Sequence, residues 1–206
     1  MSPLTELIGS TKAYGWGSLV AAELAFESIA TASISGSSGE ITFSNIPSGF
    51  KHLQIRSRAK TTYDDSFNSI LTVKVQFNSD TTSGNYVYHW IAAERNSGGT
   101  LSRGSNNSLI YGNVNHLTGA YASQNGSGIS NVFAINVLDI LDYSNTNKFK
   151  TTRLITGDSH NHVGNQFVGM WSGLWRSTSA ITSIKLFVDA GNFITNSAFA
   201  LYGIKG

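Results

Sequence analysis

The residues best suited to chemistry lie together at Asp158-Ser-His160-Asn-His162. On an extended segment, positions two apart face the same way, so the carboxylate and both imidazoles share a side. Such a set could hold a divalent metal ion. The plainer reading is a polar loop after a strand, and it is preferred. His52, His89 and His116 lie elsewhere in the chain, so no third imidazole is assured. Nucleophilic chemistry has less to stand on. The chain has no cysteine and no Gly-x-Ser-x-Gly, which removes thiolate catalysis and the nucleophile elbow. Acid pairs for glycoside hydrolysis would have to come from Glu94, Asp139, Asp142 and Asp158. Asp139 and Asp142 follow an apolar strand and read as turn residues. Gly98, Gly99 and Gly104 lack the strand–helix setting and the lysine of a phosphate loop. The sequence therefore predicts no enzyme and no cofactor.

Binding is the better theme. Tyr86, Tyr88 and Trp90 alternate along one face of a strand and could form a flat sugar platform, a subunit contact or core. Val87, His89 and Ile91 on the other face are fairly apolar too, so the pattern predicts that both faces are covered. Trp171 and Trp175 read as core, with Gly169 and Gly173 making room for the indoles. Arg56 and Arg58 share the wet face of another strand. They are possible subunit contacts, with a solvated face as the default. Tyr14 and Trp16, with Leu19 and Phe26 close by, sit in a segment where exposed aromatics would be costly without a partner surface.

The elements that must position these residues are strands. In Ile41–Ala59, ITFSNIPSGFKHLQIRSRA, two strands flank a Pro-Ser-Gly turn. Leu53 and Ile55 point to a dry side, and Gln54, Arg56 and Arg58 to a wet one. Leu71, Val73, Val75 and Phe77 alternate with polar residues. Val132–Leu138 is apolar on both sides and reads as a central strand covered on both faces. Further strands are expected at 28–34, 40–43, 109–111, 149–158, 168–176, 184–188 and 198–204. Residues 95–107 and 113–131 read as long polar loops. About ten short strands separated by turns, with no long helix, predict an all-β, antiparallel, jelly-roll-like sandwich. An N-terminal arm over 1–27, with a turn or two of helix near Leu19–Phe26, precedes a sandwich domain over 28–206.

Composition sets the bounds. The chain has 206 residues and a net charge of +2, which suits one all-β domain and leaves no nucleic-acid footprint. Only 13% of residues are charged, against a usual ~25%, so Ser, Thr, Asn and Gly must wet the surface. No apolar run approaches the ~20 residues of a membrane helix. Glu23 and Glu27 interrupt the apolar stretch near the N-terminus, and no basic cluster precedes it. A secretory signal is therefore not expected.

Several stretches carry a resemblance. AYGWG at 13–17, FESIATASI at 26–34, ITFSNIPSGFKHLQIRSRA at 41–59, FNSD at 77–80, NYVYHW at 85–90 and the closing ITSIKLFVDAGNFITNSAFALYGIKG at 181–206 resemble a family of tailed-bacteriophage virion structural proteins. Both ends carry the likeness; residues 95–131 do not. It implies a non-enzymatic particle component made in the host cytoplasm and located in the virion. The expected function is that of a capsid decoration (cement) protein. It would bind the major capsid protein or other virion proteins and self-associate, as a homotrimer. The alternative is a tail or fibre-associated protein that binds host glycans through the long loops and exposed aromatics.

Overall fold

The computed structural model describes residues 25–63, 71–94, 101–106, 117–122, 132–159, 166–188 and 190–206. Strands β1 (Phe26–Ser33), β2 (Ser37–Ser38), β3 (Glu40–Phe43), β4 (His52–Ala59) and β5 (Leu71–Phe77) come first. Then follow β6 (Tyr86–Glu94), β7 (Leu101–Asn106), β8 (Leu117–Ala122), β9 (Ala134–Leu141) and β10 (Lys150–Ser159). The chain closes with β11 (Gln166–Trp175), β12 (Ile184–Val188), β13 (Phe193–Ile194) and β14 (Ala198–Ile204). No helix occurs among the described residues. Eight strands form one sheet in the order β1-β14-β4-β9-β10-β11-β6-β7, and four form a second in the order β3-β12-β5-β8. All described pairings are antiparallel. The fold is thus an all-β antiparallel sandwich, as the alternation predicts. The jelly-roll order is a narrower claim than this arrangement carries, and β14 lies one strand in from the edge of the large sheet.

Period-two patterning builds the core. Leu53 and Ile55 on β4, Leu138 and Ile140 on β9, Leu154 on β10 and Leu201 on β14 all turn inward and are buried. Val73, Val75 and Phe77 on β5 and Ile184 and Leu186 on β12 face them from the small sheet. Phe77 joins the layers: its ring lies 5.5 Å from that of Trp175 and 6.3 Å from that of Tyr86, both on the large sheet. Fully burying side chains of this size removes roughly 1.5–3 kcal/mol each of exposed apolar cost.

Four strands go beyond the sequence reading. β2 and β13 pair with each other over two residues each, and Phe193 of β13 also bridges to Thr61. β7 and β8 fall within stretches expected to be loops. β7 is polar and sits at the edge of the large sheet, so it carries no alternating apolar signal. The expected strand at 109–111 lies outside the described residues, as does the helical turn expected near Leu19, save its last residues. Phe26 and Glu27 begin β1 and so belong to the large sheet rather than to a preceding arm. Asp139 is a strand residue of β9 and not a turn residue; Asp142 does sit in the β9–β10 turn, at a φ of 48°.

Candidate interaction face on the large sheet

The fold does not gather the candidate site residues in one place. Tyr14, Trp16 and Leu19 lie outside the described residues, as do His160 and His162. Asp158 is the last residue but one of β10, and its side chain is likewise outside them. Among the described residues no group of three or more His, Cys, Asp or Glu could hold a metal ion. His52 has a structural role, since its Nδ1 accepts the backbone N–H of Asp142 at 2.9 Å. Tyr86, Tyr88 and Trp90 point into the sandwich, where Tyr86 is buried and the other two pack against the core. They form no outward platform. Trp171 and Trp175 are buried as expected. A Cβ on Gly169 would lie 2.3 Å from the Trp171 ring, so that glycine does make room for an indole.

Phe26, Arg56 and Arg58 do come together, on the outer face of the large sheet. The Arg56 guanidinium lies 5.6 Å from the Phe26 ring centroid and 5.1 Å from that of Tyr202. Its Nε donates to Gln54 Oε1 at 2.7 Å. Arg58 sits over Phe133 at 5.9 Å and donates through Nε to the Asn196 carbonyl at 3.0 Å. Both cations are held by neighbours, with their side chains exposed.

The register shows what these arginines border. One row of outward residues crosses all eight strands: Thr31, Ala200, Arg56, Val137, Ile155, Met170, Ile91, Arg103. The adjoining row runs Ser33, Ala198, Arg58, Ile135, Gly157, Val168, Ala93, Leu101. Together they make an apolar strip over β9, β10, β11, β6 and β7. Its six large side chains, Ile91, Leu101, Ile135, Ile155, Val168 and Met170, are 45 to 67% exposed. Scattered surface aliphatics are ordinary, but a contiguous set of this size marks an interaction surface.

On one side the strip ends at a polar row: Gln54, Asp139, Arg153, Ser172, His89, Ser105. Asp139 ties that row together. It accepts from Gln54 Nε2 at 2.7 Å and from Arg153 Nη2 at 2.9 Å. Two shallow troughs open on the same face. One, of about 310 Å3, lies beside Arg56 and Arg58, where Ala198 and Ala200 leave room on β14. The other, of about 400 Å3, lies between Ile91, Met170 and Arg153.

This face corrects two expectations. The apolar patterns of β6 and of Val132–Leu138 predict cover on both sides. Within one chain the inner sides are covered, but Ile91 and Ile135 stay open. The sequence signal for an outer contact was present in those two-sided strands. Its location was not, because Met170, Ile155 and Leu101 join them only through register. Neither a protein-family model nor a curated protein matches this chain.

Proposed function

We propose that this chain is a structural protein of a tailed-bacteriophage virion: a capsid decoration protein that binds and stabilises the head shell. The observation that carries the reading is the open apolar strip on the large sheet. A domain that worked alone would gain nothing from keeping six large aliphatic side chains in water. A particle component has partners to cover them. The sequence resemblance supplies the class of particle, and the sparse charge fits a protein that works by burial against neighbours. The partners are the major capsid protein and further copies of this chain, arranged as a homotrimer. Stabilisation is mechanical, since each copy joins surfaces that would otherwise separate. At ~25 cal/mol per Å2 even a few hundred Å2 of covered apolar surface is worth several kcal/mol gross, before ordering costs.

The test is co-sedimentation of the purified full chain with undecorated head shells and, separately, with tails. Binding to heads and not to tails is the expected result. Ile155→Glu places a charge in the middle of the strip and is expected to lower head binding at least tenfold. Equal binding by this variant, or binding to neither particle, sinks the proposal.

A further inference from the structure

The strip is long and narrow. It crosses five strands, ~19 Å at 4.8 Å per strand, and its two rows lie ~7 Å apart. A polar row, hydrogen-bonded where Gln54 and Arg153 meet Asp139, closes one side of it. That is the footprint of one chain segment, extended or helical, since a helix is only ~10 Å across. A second sheet face would overhang it and press on the polar row. Charge argues the same way. The first row has arginine at both ends of its apolar part, Arg56 on β4 and Arg103 on β7. However a second copy is turned along it, arginine meets arginine.

Residues 1–24 have the complementary character. Leu7, Ile8, Trp16, Leu19 and Val20 are apolar, Tyr14 is aromatic, and the charged side chains are Glu6, Lys12 and Glu23. The segment leads into the right face: Phe26 opens β1, at the edge of the large sheet, under the Arg56 guanidinium. From β1 to β7 is seven strand spacings, ~34 Å. Twenty-four extended residues reach ~80 Å. At full extension the segment would reach over twice the width of its own sheet, which leaves length to cross to another subunit.

We infer that the strip is the seat of the N-terminal segment, residues 1–24, of a neighbouring copy of this chain. The inference rests on reading the strip as an assembly surface. The aromatic and aliphatic side chains of the segment cover Ile155, Met170 and Ile91, and its acids lie toward Arg56 and Arg103. Segment and strip are different surfaces, so the contact is head to tail. Such contacts close into rings when the rotation between subunits permits, and a trimer is one closed form.

The chain has no cysteine, so an introduced pair reports without background. Full-length Ser18→Cys protein is mixed with full-length Ser172→Cys protein, oxidised, and run on a non-reducing gel. Ser172 is exposed on the polar row, beside the strip. The expected result is a mixed disulfide dimer, reduced at least tenfold when Met170→Glu is added to the Ser172→Cys chain. Thermal unfolding checks that Met170→Glu is folded; if it is not, Ile91→Glu takes its place. A disulfide that forms only within the doubly substituted Ser18→Cys/Ser172→Cys chain puts each segment on its own strip and overturns the inference. No disulfide at all overturns it too. Head-shell co-sedimentation separates the two readings. Loss of shell binding by Met170→Glu, with no disulfide between the Ser18→Cys and Ser172→Cys chains, sinks this inference and leaves the assembly surface standing. A strip-dependent disulfide in protein that binds no particle supports the arm contact and counts against the decoration role.

Discussion

Two side chains that look ordinary in the sequence hold one end of the sandwich together. Lys150 opens β10 and is fully buried. Its ammonium donates to the carbonyls of Asn145 at 2.6 Å, Lys148 at 2.9 Å and Thr178 at 3.1 Å, with Ser177 at 3.5 Å. It ties the β9–β10 turn to the stretch after β11. Lys150→Met leaves those carbonyls without their donor, and we expect a loss of about 2–4 kcal/mol in urea unfolding. A loss below about 1 kcal/mol would mean that the cage contributes little. Asp80 acts at the same end, on Trp175, the register partner of Lys150. Its carboxylate accepts from Trp175 Nε1 at 2.6 Å, Asn85 Nδ2 at 2.7 Å and the Thr82 amide at 2.8 Å. Burial raises its pKa, but the hydrogen bonds from Asn85, Trp175 and Thr82 outweigh this and hold it below the usual carboxylate value. A carboxyl depressed in the folded state adds stability that is full above its unfolded pKa, ~3.9, and is lost as pH falls through the folded value. Asp80→Asn is therefore expected to cost about 1 kcal/mol at pH 7, with the gap to wild type narrowing as pH falls below the unfolded value and through the lowered folded one. A gap that did not narrow anywhere in the acid range would show that the charge is not what matters. Asp142 adds to the same acid sensitivity, since the hydrogen bond from Lys148 and the charges of Lys148 and Lys51 lower its pKa despite burial.

At the scale of elements, β7 is the instructive case. Its inward position opposite Trp90 is Gly104, and Trp90 stacks on Trp171 at 6.2 Å between centroids. A Cβ on Gly104 would meet the Trp90 indole at 2.6 Å, so the missing side chain is what lets an edge strand lie flat over a tryptophan. Gly104→Val is expected to lift β7 from β6 at a cost of about 1–3 kcal/mol. Hydrogen exchange should then show residues 101–106 losing protection while β9 and β10 keep theirs. Protection lost evenly over the large sheet would contradict this. Gly191 plays a comparable part between β12 and β13, at a φ of 66° with the Tyr63 amide 2.8 Å from where a Cβ would be. Asn78, in the β5–β6 turn, reaches across to the segment before β12. Its Oδ1 accepts the amides of Thr182 at 2.9 Å and Ser183 at 3.1 Å, and its Nδ2 donates to the Ala180 carbonyl at 2.8 Å. Turns in this molecule are joined by short polar side chains where a strand pattern gives no guidance.

At the scale of the whole molecule, the two faces of the large sheet have different fates. The inner face is a continuous core with the small sheet, and Phe77 is its pivot. Phe77→Ala is expected to cost about 3–5 kcal/mol, measured as a fall in the denaturant midpoint. The outer face should tolerate change. Replacing Ile135 and Val168 together by serine is expected to shift the unfolding free energy by less than about 1 kcal/mol. The same double variant should lower the mass found by light scattering toward that of a monomer. A large drop in stability with unchanged mass would assign the strip to folding instead of assembly.

The sequence alone determined the class of fold and the direction of most side chains. Alternation in Leu71–Phe77 or Leu53–Arg58 admits only one dry face, so strand identity and burial were legible locally. Two-sided apolar patterns in Tyr86–Ile91 and Val132–Leu138 also predicted cover on a second face, which one chain does not supply at Ile91 and Ile135. Strand order decided the rest. Arg56, Val137, Ile155, Met170, Ile91 and Arg103 come from six strands scattered between residues 52 and 175, and only antiparallel register sets them in one row. β7 was invisible because its contribution is an absent side chain at Gly104, whose meaning depends on the indole of Trp90 beside it. The buried Lys150 was equally hidden, since four carbonyls from two turns surround it only once β9, β10 and β11 are paired. Local periodicity says which way a residue faces; only tertiary pairing says what stands next to it.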